Sequence, residues 1–177
     1  ALTAITIDDL LTHRSGLDDY FAWPEYRAAV AARKDPWQTD AILDHASLGP
    51  SGLFRYSNIG YLMLRLALER RRGTDFLGAI APVLEAVGVD ARPFATPADW
   101  HEVETDIGVV PAELSSYHPG WVYPGTFVAD VGDAAAGIAR IMAGELGDGA
   151  DGRPVADAMR EALPVDAGEH PLGETLY

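Results

Sequence analysis

The sequence predicts a mainly α-helical chain, and three observations carry that prediction. Residues 58–72 place Ile59, Leu62, Met63 and Leu66 at the i, i+3, i+4, i+7 spacing of one helix face, with Leu64, Ala67 and Leu68 widening the apolar surface. Side chains that accept backbone N–H groups stand just before the apolar segments, at Thr6, Thr74-Asp75 and Asp130. Glycines stand where such helices would stop, at Gly16, Gly73 and Gly88.

In chain order, Thr6 and Asp9 form a capping pair ahead of Leu10 and Leu11, which predicts a short helix ending at Ser15-Gly16 and places His13 at a helix end. Pro24 opens a second helix over about 25–32, and a third covers about 39–46. The helix over 58–72 is apolar around most of its circumference, so it is expected to be central. Asp75 opens a helix over about 75–86, with Pro82 as a kink. Residues 89–120 hold several prolines and little periodicity, and read as a long irregular connection with one helical turn near 97–103. Asp130, with Asp133 as its partner, opens a further helix, and a last one follows the Gly/Asp turn cluster of 147–152, near 155–163. We read 1–177 as one helical domain.

Composition narrows the partners. A net charge of −14 over 177 residues argues against nucleic acid and anionic membrane, whose phosphates need a basic face. The cluster Arg70-Arg71-Arg72 is read as cations beside the exposed carbonyls of a helix C-terminus. Without cysteine, neither a disulfide nor a thiolate metal site is available, and the compartment is left open. No apolar stretch approaches the ~20 residues of a membrane span. The first residues lack a basic leader, so a targeting signal would lie upstream. Gly173-Glu174-Thr175-Leu176-Tyr177 reads as a strand beginning, and both ends suggest an excised piece.

Two segments carry chemistry: Leu10-Leu11-Thr12-His13-Arg14-Ser15-Gly16-Leu17, and Phe54-Arg55-Tyr56-Ser57-Asn58-Ile59-Gly60-Tyr61-Leu62. On residue types alone, Ser57 is an N-cap, with Tyr56 and Tyr61 at the spacing of a hydrophobic staple. A Tyr-x-Asn tripeptide by itself is weak, arising by chance in a chain of this length at a frequency of roughly 0.2. Its context is more specific. The second segment resembles the Tyr-x-Asn motif of the superfamily of serine β-lactamases, D-Ala-D-Ala carboxypeptidases and related esterases. The first resembles the "LLTHTSGL" segment that precedes that motif, with Arg14 in place of the usual Thr. The string from Gly125 through Asp130 and Asp133 resembles the glycine-rich segment and "Dlarf" helix start of the same proteins.

The resemblance implies a helical subdomain of a β-lactamase/transpeptidase-like fold, without most of its α/β half, from a penicillin-recognising serine hydrolase. It implies acyl-enzyme chemistry on a β-lactam, a D-Ala-D-Ala peptide or an ester, with no cofactor. Tyr56 matches the general base or proton shuttle, and Asn58 matches the carboxamide that donates to a substrate carbonyl and accepts from a lysine. The nucleophile is missing: the single lysine, Lys34, follows Ala31, so no Ser-x-x-Lys is present. We also read no Lys-Thr-Gly or His-x-Gly strand. The chain alone is therefore expected to be inactive, and Tyr56, deprived of the neighbouring cations, to titrate without a depressed pKa. Excision would expose apolar surface and favour self-association. The competing reading is a non-catalytic helical binding module whose parent has lost catalysis; a Ser-x-x-Lys upstream of residue 1 would decide against it.

Other candidates are weaker. His13 is expected to hold a loop. Tyr20, Trp121 and Tyr123 border the cleft that the resemblance implies and either line a substrate pocket or pack in the core. His101-Glu102 begins like a zinc-protease motif, but Thr105 stands where the second histidine is required. The pairs Asp18-Asp19 and Glu102/Glu104 are read as solvated loop charges.

Overall fold

The computed structural model describes residues 5–103 and 116–161 of this chain. Its helices are α1 (Ile7–Leu11), α2 (Pro24–Ala31), α3 (Thr39–His45), α4 (Asn58–Arg72), α5 (Phe76–Ala86), α6 (Val131–Met142) and α7 (Val155–Arg160). They are joined by 3₁₀ turns at Tyr20–Ala22, Pro97–Glu102 and Pro119–Trp121. β1 (Ala91–Pro93) and β2 (Phe127–Ala129) pair antiparallel, with Arg92 opposite Val128. The chain is mainly helical, as its periodicity predicted.

The described residues gather into two compact units, one of residues 5–67 and 116–125, the other of 68–103 and 126–161. The first is built on an aromatic core. Tyr20, Tyr26, Ile42, Ile59, Leu62 and Trp121 are buried, with Leu10, Leu17, Trp23 and Tyr123 packed around them. The rings meet edge to face, Tyr26 with Trp121 at 5.1 Å and Tyr20 with Tyr123 at 5.3 Å between centroids, the arrangement their quadrupoles favour. Three of the buried polar tips find backbone carbonyls: Tyr26 Oη donates to Trp121 O at 2.8 Å, Trp121 Nε1 to Lys34 O at 3.0 Å and Tyr123 Oη to Trp37 O at 2.9 Å. Trp121 thereby ties its own short segment to residues 34–37.

In the second unit, Asp75 caps α5 through Gly78 N at 2.8 Å, and Asp130 caps α6 through Gly132 N and Asp133 N at 2.7 and 3.1 Å. Arg140 on α6 donates to Val87 O just beyond α5, at 3.0 Å. Gly137 is buried against Val87 and Val89, where a Cβ would lie 2.5 Å from a Val89 methyl.

Several expectations need correction. α1 is closed one turn earlier than predicted: Thr12 is its C-cap, and His13 takes the left-handed conformation just after it, with φ 57°. The irregular reading of 89–120 missed β1, and β2 was also missed, because three-residue strands leave no alternation to see. The helical turn near residue 97 is a 3₁₀ turn with a Thr96–Asp99 capping box. Positions 104–115, the last residues of the expected 155–163 helix and the C-terminal strand signal lie outside the described residues.

Candidate functional site

The site begins with two segments laced together by backbone hydrogen bonds. Asp18 N donates to Ser47 O at 3.1 Å, Gly49 N to Gly16 O at 2.9 Å, Gly52 N to Arg14 O at 2.8 Å and Arg55 N to His13 O at 2.7 Å. Leu17 and Leu48 form an antiparallel bridge within this run. Gly16 explains the Ser-Gly of the first motif: at φ +80°, a Cβ would lie 2.6 Å from Gly49 O. Only glycine lets the two backbones come this close.

The lacing delivers Phe54-Arg55-Tyr56 to the start of α4. Ser57 is fully buried and is the cap the sequence predicted: its Oγ accepts from Gly60 N at 3.2 Å and donates to Asp18 O at 2.7 Å. Its backbone N donates to His13 Nδ1 at 3.2 Å. That bond requires a lone pair on Nδ1, so the neutral ring carries its proton on Nε2. Burial holds His13 below the usual imidazole range, and the charge of Asp19 opposes the shift. The ring packs against Tyr56 at 4.5 Å, Tyr61 at 5.0 Å and Phe54 at 5.8 Å. Tyr56 and Tyr61, expected to staple against each other, both pack on the His13 ring, which joins the loop to the start of α4.

Asp18 and Asp19 are not solvated charges. Asp18 is buried, 8% exposed, and its carboxylate accepts from Trp23 Nε1 at 2.9 Å and Ser47 N at 2.8 Å. Asp19 accepts from Phe21 N through Oδ1 at 2.7 Å and, through Oδ2, from Asn58 N at 2.7 Å and Asn58 Nδ2 at 2.9 Å. The sequence reading missed both residues; the available signal was the Asx-turn habit of aspartate before a helix or turn. Asn58 Oδ1 accepts in turn from Tyr56 Oη at 3.1 Å. Tyr56 is 40% exposed, and its phenol is pushed above its ordinary value by burial, then by Asp19 and Tyr61. That direction agrees with the expected absence of a depressed value.

The other candidates lie elsewhere. Tyr20, Trp121 and Tyr123 are buried in the aromatic core, none more than 3% exposed, so as the chain stands they pack and do not line an open pocket. His118-Pro119-Gly120 spells His-x-Gly, a match the sequence reading passed over. It lies at a 3₁₀ turn, with His118 Nδ1 accepting from Gly120 N at 3.0 Å, and is not the strand that the resemblance requires.

The Beta-lactamase family model matches residues 1–81, which hold both motifs and the whole arrangement from His13 to Tyr61. The match spans less than half of the chain, and over that segment the chain is similar to the Beta-lactamase family. Two solved structures share the fold. A D-stereospecific amidohydrolase from Streptomyces sp. aligns with a TM-score of 0.63 at 19% identity, over 92% of this chain and 53% of that one. A penicillin-binding protein from Bacillus halodurans aligns with a TM-score of 0.55 at 21% identity, over 80% of this chain and 49% of that one. The chain therefore spans about half the length of each. No curated protein matches it by sequence. Among the described residues, no helix is long and apolar enough to cross a membrane.

Proposed function

We propose that this chain is the helical part of a penicillin-recognising serine hydrolase, and that Tyr56 and Asn58 are its contribution to the active site. The supporting observation is the pair itself: a half-exposed phenol hydrogen-bonded to a carboxamide at the N-terminus of a central helix, inside the segment matched by the family model. In the complete protein a serine would attack a carbonyl of a β-lactam, a D-Ala-D-Ala peptide or an ester. An acyl-enzyme would form, and water would release it.

Tyr56 would pass the proton between the serine, the leaving group and water, and Asn58 would offer its remaining N–H to the substrate carbonyl. The raised value of Tyr56 fits a chain that lacks its catalytic lysine. With Asp19 as the nearby charge, the phenol stays protonated at neutral pH, and cations from the remaining half would have to bring it down. This chain by itself should turn over neither nitrocefin nor p-nitrophenyl acetate, and turnover of either would overturn that statement. In the complete protein, Tyr56→Phe should lower the acylation rate by about 10²-fold or more. Trapping an acyl-enzyme with a β-lactam, in competition with short esters, identifies the substrate class. A complete polypeptide that forms no acyl-enzyme with either would instead make the chain a binding module.

A further inference from the structure

We infer that Asp19 is a positioning residue that fixes the direction of the hydrogen bond between Tyr56 and Asn58, turning the Tyr56 oxygen outward as an acceptor. The inference rests on the roles proposed above for that pair. A carboxylate can only accept, and Asp19 Oδ2 lies 2.9 Å from one end of the Asn58 carboxamide. That end must therefore be the NH₂ group, since the opposite orientation would set two oxygens against each other. Oδ1 is then left facing Tyr56 Oη at 3.1 Å, and an amide oxygen carries no hydrogen. The hydroxyl must donate inward, and its lone pairs face away from Asn58.

Asp19 is held in place for this task. Its two oxygens take three N–H groups, from Phe21 on one side and from the backbone and side chain of Asn58 on the other. The Asn58 N–H is a donor of the first turn of α4 with no partner inside the helix, and the positive end of a helix of 15 residues favours an anion there. The carboxylate is thus unable to rotate without losing bonds on both sides. If the carboxamide were turned over, Asn58 would donate to the Tyr56 oxygen and the hydroxyl hydrogen would point outward. The same two side chains would then present a donor where they now present an acceptor. An outward lone pair can accept the hydrogen bond of an attacking hydroxyl and so orient it, while taking that proton requires the phenol first to have given up its own.

The test is NMR of this chain, labelled with ¹⁵N and ¹³C, as wild type and as Asp19→Asn. In the wild type the Asn58 Hδ2 protons should show NOEs to the Phe21 amide proton and Asp19 Hβ, and none to the Tyr56 ring. The carboxamide introduced by Asp19→Asn keeps an oxygen for Phe21 N–H but presents its own NH₂ to Asn58. The Asn58 carboxamide should then turn over, and its Hδ2 protons should gain NOEs to Tyr56 Hε. The Tyr56 ¹³Cζ titration should move down by about one pH unit or more, because an N–H then stabilises the phenolate and a negative charge has gone. Asp19→Ala removes the charge without supplying the NH₂, and should lower the titration without producing the same NOE exchange. Wild-type NOEs from Hδ2 to Tyr56, or an unturned carboxamide in Asp19→Asn, overturn the inference. The wild-type measurement stands even if a variant fails to fold. None of these readouts uses turnover, so a catalytic failure of Tyr56 in the complete protein would sink the proposed function and leave the bond direction untouched.

Discussion

Replacing Ser57 by alanine removes one oxygen that serves two buried groups. Its Oγ accepts from Gly60 N at 3.2 Å, closing the first turn of α4, and donates to Asp18 O at 2.7 Å. Losing a helix cap costs about 1 kcal/mol, with a range of roughly 0.5–2. Leaving a buried carbonyl without its donor costs a further 1–3 kcal/mol or so. Ser57 is 1% exposed, so water has no ready route to replace either bond. Together these give a destabilisation of about 2–4 kcal/mol for Ser57→Ala. With a urea slope of about 2 kcal/mol per molar, the midpoint should fall by about 1–2 M. Near-UV circular dichroism is the appropriate probe, because Trp23, Trp37 and Trp121 all lie in the unit that Ser57 anchors. Thr6→Ala is the matched control, since it also deletes a capping hydroxyl but at an exposed helix end, and it should lose clearly less. A Ser57→Ala loss below about 0.5 kcal/mol, or one equal to that of Thr6→Ala, would refute the argument that the middle residue of the motif is a buried structural link.

Gly16→Ala combines a left-handed φ with a Cβ 2.6 Å from a backbone oxygen, so it should destabilise the chain by more than 2 kcal/mol or so, read as a fall in thermal midpoint. Burial pushes the phenols of Tyr20 and Tyr26 far up and that of Tyr123 to about 12. The folded chain therefore holds these protons more tightly than the unfolded one. Stability is intact below pH ~10 and should fall steadily above it, as urea midpoints measured from about pH 8 to 11.5 would show. His13 shifts the other way: its contribution is present above pH ~6.5 and is lost as pH falls through its lowered folded value. His13→Asn, which tolerates positive φ and keeps an acceptor for Ser57 N–H, should flatten the dependence between about pH 5 and 7; an unchanged slope would exclude His13 as its source.

The parts of this fold that were legible in the sequence are those determined by local chemistry. Thr6, Ser57, Asp75 and Asp130 cap the helices they precede because a short acceptor before an apolar segment satisfies backbone N–H groups within the same few residues. The Tyr-x-Asn element stood out through its context, the resemblance of the segments around it, since the tripeptide alone is weak. Asp18 and Asp19 were legible at most as turn residues, through near partners such as Phe21, since the partners that tie them into the site, Ser47 and Asn58, lie 29 and 39 residues away. The left-handed residue at the end of α1 was misplaced because histidine can take a conformation for which glycine is the default, and here its ring contacts favour it. Tyr20, Trp121 and Tyr123 were legible as a group but not as core, because aromatic residues suit a pocket wall and an interior equally well.

The bonds that finish the first turn of α4 reach across long stretches of chain: 39 residues from Ser57 to Asp18 and from Asn58 to Asp19, and 44 from Ser57 to His13. Closing loops of this length costs about 3 kcal/mol in chain entropy before any contact returns it. The body of α4 closes through its own backbone hydrogen bonds, but the end that carries Tyr56 and Asn58 is completed only when the upstream loop arrives. The amide proton of Asn58 is therefore a clock for the site. Its exchange with solvent should follow the opening of that loop, so its rate measures how often the Tyr56–Asn58 pair is taken apart while the rest of the helix stays wound.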